Sequence, residues 1–254
     1  MCAAQRPILS RTYPLRFKHA GIPAHPDARP RPESGASEQT ALEGLQALVR
    51  GELLERLQFF RLEPRVIVDL GGGNGAGAAV LRRQFPRAQV IAVDAAYPMA
   101  LAARRRRRFW RRCDSVCADA RALPLRTQSV DLVFSSLLLP YCEDPPALFA
   151  QVQSVLRPGG LLLFSTLGPD TPPELHAGAL PDMPQLGVAL AASGLCEPVL
   201  DRERHGAAGV PGSWEIIYGA AFASVAMAGA VGAGGSTREF AVPLSAVHAR
   251  GKPG

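Results

Sequence analysis

The chain has 254 residues and a mass of 27.0 kDa, with 47% hydrophobic and 20% charged residues. That is enough for one large domain with a full core, and it excludes wholesale disorder. The net charge is +6, but seven arginines (Arg104 to Arg108, Arg111 and Arg112) sit in one segment, so the basic balance is local and not the broad positive surface of a nucleic-acid binder.

Residues 1–38 are rich in proline and arginine, have no helical or strand period, and lack the continuous apolar stretch of a secretory signal. They read as a loose N-terminal arm before one domain over 39–254. From Ala41 to Phe60, the residues Leu42, Leu45, Leu48, Val49, Leu53, Leu54 and Leu57 recur at three- and four-residue spacing, which predicts an amphipathic helix. Strands are then expected at Val66–Leu70, Gln89–Val93, Ser115–Ala118, Val130–Ser135 and Leu161–Thr166. Helices are expected at Ala78–Phe85, Met99–Trp110 and Pro146–Leu156, with Pro158-Gly159-Gly160 as a turn. Strands alternating with helices over short links predict an α/β fold: a doubly wound, mostly parallel sheet with helices on both faces. After Thr166 the pattern weakens. A helix is expected at Asp182–Ser193, strands at Glu197–Asp201 and Trp214–Phe222, and a further strand at Glu239–Val247. The uncharged run Ile216–Thr237 is long enough for a bilayer but is mostly alanine and glycine, so it reads as a strand and a loop, with no membrane contact.

The five cysteines (Cys2, Cys113, Cys117, Cys142 and Cys196) are odd in number and scattered, which fits a reducing compartment and a cytoplasmic protein. No second Cys or His pair follows Cys113 and Cys117 at zinc spacing, so no metal is expected. The histidines suggest no triad. No aromatic platform for nucleic acid is interleaved with the arginines.

The chemistry concentrates in Val66-Ile67-Val68-Asp69-Leu70-Gly71-Gly72-Gly73-Asn74-Gly75. Glycines after a first strand let backbone approach a ligand closely, and the next helix offers free N–H groups. Asp94 ends the second strand, where a carboxylate can accept both hydroxyls of a ribose. Asp119 follows the third, where it can accept from an adenine amino group. Asp69 suits a cationic amino group and conflicts with a pyrophosphate. This disfavours dinucleotides and favours a nucleoside bearing an amino acid.

These residues resemble the class I S-adenosylmethionine-dependent methyltransferases. The matches are Asp69-x-Gly71-x-Gly73-x-Gly75, Asp94, Asp119-Ala120 with Leu123-Pro124, Asp131-Leu132-Val133-Phe134, and Leu156-Arg157-Pro158-Gly159-Gly160. The resemblance implies a Rossmann-like seven-stranded sheet with a reversed last strand, and S-adenosyl-L-methionine across the carboxyl ends of the first strands. It gives a cofactor-binding set of Asp69, Gly71, Gly73, Gly75, Asp94, Met99, Asp119, Ala120 and Ser136, with Tyr141 toward the substrate. Further segments resemble the malonyl-[acyl-carrier protein] O-methyltransferases of biotin synthesis. They are Gly51–Leu57, Phe164–Thr171, Asp182–Gly187, Pro198–Asp201 and Trp214–Gly219. That family methylates the free malonyl carboxylate.

Departures from the family lie outside the cofactor half. Residues 20–50 contain no tyrosine, where the family has a Tyr-Asp pair. The links Thr171–Asp182 and Arg202–Ser213 are short, where the family has helical insertions. Pro140-Tyr141 replaces Gln-Trp. Three readings stay open: this O-methyltransferase, a methyltransferase-like protein without turnover, and a methyltransferase of another small molecule. The expected partner is acyl-carrier protein or a small-molecule thioester, with no nucleic acid, and the chain is compatible with a monomer. The arginine run is either a docking patch for an acidic carrier or a solvated helix end.

Overall fold

The computed structural model describes residues 36–106, 113–173, 176, 179–206 and 213–224. Seven strands form one sheet: β1 (Val66–Leu70), β2 (Gln89–Asp94), β3 (Cys113–Cys117), β4 (Val130–Ser136), β5 (Leu156–Leu167), β6 (Leu195–Gly206) and β7 (Ser213–Ala223). Their order is β3-β2-β1-β4-β5-β7-β6. The pairings from β3 through β5 are parallel, and β7 runs antiparallel to both β5 and β6. This is the reversed strand that the resemblance implied.

Every residue of β1 is buried, as expected for a central parallel strand covered on both faces. One face carries α1 (Ala36–Arg56), α2 (Ala76–Gln84) and α3 (Tyr97–Arg106). The other carries α4 (Pro145–Val155) and α5 (Met183–Ala192). Helix α1 begins five residues earlier than its apolar period predicts, inside the segment read as an arm. It buries Leu45, Val49 and Leu53, and Leu57 in the following 3-10 turn, while Leu48 faces outward. One stripe at four-residue spacing therefore faces the sheet. The Asp182 and Gln185 side chains cap α5 reciprocally, which sets its start after a proline-rich link.

Three expectations are corrected. Pro158-Gly159-Gly160 is not a turn between elements, because α4 passes directly into β5 and the register with β4 shifts between Val130 and Leu132. Gly159 adopts φ +75°, and a Cβ on Gly160 would lie 2.9 Å from the Arg157 carbonyl, so the glycines make a bulge. Strand β6 is twelve residues long instead of five. It is an exposed edge strand, so pairing with β7 rather than burial defines its length. Strand β3 starts at Cys113, two residues earlier than expected.

Arg104, Arg105 and Arg106 end α3 and are exposed, while 107–112 lie outside the described residues. So do the arm through residue 35 and the expected strand Glu239–Val247. Of the uncharged run, Ile216 to Ala223 is β7 and the part from 225 onward is outside. No helix among the described residues is long and apolar enough to cross a membrane.

Candidate functional site

The carboxyl ends of β1, β2, β3 and β4 lie side by side, because adjacent strands are parallel and in register: Leu70 opposite Val93, Asp94 opposite Cys117, and Asp69 opposite Phe134. Beyond β1 the chain turns at once. The N–H groups of Gly71 and Gly72 both donate to the Val93 carbonyl, at 2.8 and 3.1 Å. Gly71, Gly73 and Gly75 have φ of +70°, +52° and +78°, the left-handed region that glycine enters without penalty. At Gly71 space is also decisive, since a Cβ would lie 2.9 Å from Leu138 Cδ1. At Gly73 nothing among the described residues lies within 4 Å of that position, so the backbone there faces open space. Gly75 caps α2 without a side-chain bond, leaving the N-terminal dipole of that helix directed at the loop.

Asp69 lies under this loop. It is 3% exposed, and its Oδ2 has no hydrogen-bond partner among the described residues. A Cβ on Gly72 or Gly77 would approach that oxygen to 2.8 Å, so loop and helix rest directly on the carboxylate. Burial pushes its pKa up to about 7, and nearby Asp94 adds to the rise. An Ala78 backbone N–H and Arg50 oppose it. The carboxylate is covered by the loop backbone, in line with its place inside a buried strand.

Asp94 sits at the rim. Its Oδ2 accepts from Gly73 N at 2.9 Å and its Oδ1 from Ala96 N at 2.8 Å, so one side chain ties the open part of the loop to the start of α3. A carboxylate can accept about four hydrogen bonds, so this duty is compatible with also accepting ribose hydroxyls. Met99 is half-buried in the first turn of α3. Asp119 stands two residues past β3, with half-buried Ala120 packed against the core. Asp119 is engaged by Arg121, whose Nη2 lies 2.9 Å from Oδ2 and whose backbone N lies 2.8 Å from Oδ1. Ser136 ends β4 opposite Ser165 of β5, with hydroxyls 3.4 Å apart. Tyr141 closes a 3-10 turn, Leu139–Tyr141, and is 57% exposed.

Sequence reasoning misses Leu137, Leu138 and Arg121. Leu137 holds φ +56°, rare for a leucine, and its N–H reaches the Ser165 carbonyl at 3.0 Å. The reversal sends the next side chain, Leu138, against Gly71. No residue-type signal marks a strained leucine; only the backbone does.

The segments after β5 that carry the finer resemblance bind one another. Buried Glu215 accepts from Asp170 N at 2.9 Å through its side chain and from Gly168 N at 2.8 Å through its carbonyl. Thr171 and Glu215 exchange two more bonds, at 3.1 and 3.2 Å. Nearby, Tyr218 O–H donates to Glu52, Arg56 lies over the Tyr218 ring at 3.7 Å and pairs with Glu203, and His205 Nε2 is 3.2 Å from Glu52. Glu52, Glu203 and His205 are close enough to share a cation, but Tyr218 and Arg56 already hold the two carboxylates.

The orphaned, buried Asp69 oxygen and the open backbone at Gly73 fit a ligand with a cationic end that approaches main chain closely. Residues 68–164 match the family described as a methyltransferase domain. The chain is 44% identical over 172 residues to the malonyl-[acyl-carrier protein] O-methyltransferase of Xylella fastidiosa, covering 63% of this chain and 58% of that one. It is 40% identical over 176 residues to the enzyme of the same name from Gallionella capsiferriformans, covering 63% and 61%. The chain thus spans about three-fifths of the length of these curated relatives. In fold it is similar to phosphoethanolamine N-methyltransferase 2 of Haemonchus contortus, solved with S-adenosylhomocysteine, at TM-score 0.59 and 17% identity, covering 69% of this chain and 52% of that one. It is likewise similar to geranyl diphosphate C-methyltransferase of Streptomyces coelicolor, at TM-score 0.58 and 16% identity, covering 76% and 86%. The sheet is the Rossmann-like sheet of these methyltransferases, as the resemblance implied.

Proposed function

We propose, from a chain whose residues 68–164 match a methyltransferase domain, an S-adenosylmethionine-dependent O-methyltransferase acting on the free carboxylate of a malonyl thioester on acyl-carrier protein. The observation that carries the cofactor half is the left-handed glycine loop over buried Asp69, whose Oδ2 lacks a partner among the described residues, bonded at its open glycine to Asp94. The 40–44% identity to malonyl-carrier methyltransferases supports the substrate half.

The cofactor supplies an electrophilic methyl group on a sulfonium. Gly71, Gly73 and Gly75 offer backbone to its amino-acid end. Asp69 acts on the cationic amino group across the loop, as a buried negative field. Asp94 accepts the ribose hydroxyls, Asp119 accepts from the adenine amino group, and Ala120 and Met99 give apolar contact to the base and ribose. Ser136, at the end of β4, completes the cofactor-binding set, and Tyr141, in the 3-10 turn beyond it, faces the substrate side. A carboxylate substrate is already a nucleophile at neutral pH, so the chain needs no general base, and its contribution is alignment. We place the protein in the cytoplasm on the basis of its cysteine pattern.

A second reading, a cofactor-binding protein without turnover, is favoured by the short connections 168–182, between β5 and α5, and 207–212, between β6 and β7, which leave little chain for a substrate lid. Calorimetric binding of S-adenosylmethionine, followed by a methyl-transfer assay on malonyl-carrier protein, tests both. Binding with transfer supports the enzyme, binding without transfer supports the second reading, and absence of binding removes both.

A further inference from the structure

We propose that Arg121 is a positioning residue for base recognition, holding the Asp119 carboxylate in the one orientation from which it accepts an adenine amino group. The inference rests on the cofactor reading above. Asp119 lies past the end of β3, on a turn in which Ala122 N donates to the Asp119 carbonyl at 3.0 Å. A carboxylate on such a turn is free to rotate about two torsions. Here a fork closes on it. Arg121 Nε lies 3.1 Å from Oδ1 and 3.3 Å from Oδ2, Nη2 is 2.9 Å from Oδ2, and the Arg121 backbone N–H reaches Oδ1 at 2.8 Å. Two parallel guanidinium bonds fix the carboxylate plane, which a single point charge does not do. The backbone bond fixes the first torsion as well.

The same guanidinium extends to the loop after β4, where Nη1 lies 3.7 Å from Glu143 Oε2, two residues past Tyr141. That contact is long and Glu143 is more than half exposed, so it is worth little beside the Asp119 fork. Positioning therefore acts on the base end of the site. It does not bridge to the substrate end.

The test uses the full chain and two nucleosides that differ at one group: S-adenosylhomocysteine, whose base carries an amino donor, and S-inosylhomocysteine, whose base carries a carbonyl acceptor there. Wild type is expected to prefer the amino compound by about 10- to 100-fold, the value of one hydrogen bond to a charged acceptor. In R121Q the preference should fall to within about threefold, through lost affinity for the amino compound alone. The control R126Q removes an equal charge from an exposed position in the same connection and should keep the wild-type ratio. A wild-type ratio in R121Q overturns the proposal and leaves Arg121 as a surface ion pair. Equal binding of both compounds by wild type overturns it too, while the cofactor reading survives. Binding of neither by wild type removes the cofactor reading and this inference with it.

Discussion

The two ends of the sheet solve opposite problems. Around β1 to β4 the chain tolerates features that cost stability: three left-handed glycines, a leucine at φ +56°, and a buried carboxylate oxygen with no partner among the described residues. Around β5 to β7, buried Glu215 is bonded from several sides, and Glu52, Arg56, Glu203 and Tyr218 tie α1 to the last two strands. The first set of features surrounds the loop that a ligand would approach, and the second ties elements to one another. Strain itself is not confined to one end, since Gly159, Gly194 and Glu197 also hold positive φ and the buried Trp214 Nε1 lacks a partner among the described residues. It follows that the family motifs divide by physics. Those of the first half expose backbone and acceptors. Those of the second, Gly168–Thr171 with Trp214–Gly219, brace each other.

Substitutions should separate the two ends cleanly. The largest effect is expected at Asp94→Ala, which removes the acceptor for Gly73 and Ala96 N–H together with the proposed ribose contact. Cofactor affinity should fall about 100-fold, since charge-assisted hydrogen bonds are worth about 1.5–3 kcal/mol each. Calorimetry with S-adenosylhomocysteine measures it, and unchanged affinity would remove Asp94 from the site. Glu215→Ala should do the reverse. It leaves the Asp170 N–H unpaired beside a new cavity, so unfolding free energy should drop by about 2–3 kcal/mol. Cofactor affinity in the folded fraction should stay at the wild-type value. A binding defect without a stability defect would contradict the bracing role.

Asp69→Asn sharpens the contrast through pH. The folded-state pKa, about 7 against an ordinary 3.8, means the folded protein keeps a proton that the unfolded chain has lost between those values. Stability of the wild type therefore falls as pH rises through that window, and asparagine escapes the loss. The melting temperature of the variant minus that of wild type should become more positive from pH 5 to pH 8, while cofactor affinity at pH 8 falls. A difference that does not change with pH would show that the carboxylate ionises normally.

Tyr218→Phe should cost about 1 kcal/mol of unfolding free energy, one side-chain hydrogen bond, because the ring and its stack with Arg56 remain. Urea melts read this directly. Glu143→Gln should be the mildest, within about 0.5 kcal/mol, because the ion pair is long and exposed. A larger change in either cofactor affinity or stability would mean that the Arg121 link to the Tyr141 loop matters.

The sequence by itself determined the order of strands and helices through β5, the glycine loop, and the placing of Asp94 and Asp119 at neighbouring strand ends. Apolar runs of strand length between turn residues report burial directly, and glycine spacing reports backbone that must turn tightly. Tertiary structure alone decided the rest. The bulge at Gly159 and the length of β6 depend on which strand each segment pairs with, and pairing leaves no local period at an exposed edge. Asp69 reads in the sequence as an acid inside a buried strand just before a loop. Only packing shows it beneath the loop, where desolvation raises its pKa. Arg121 reads as one arginine among many, and it becomes specific because the turn after β3 folds its guanidinium back onto Asp119. Spacing along the chain encodes elements and their ends. Which side chains meet, and how far water is excluded from them, is set by contacts between segments far apart in that order.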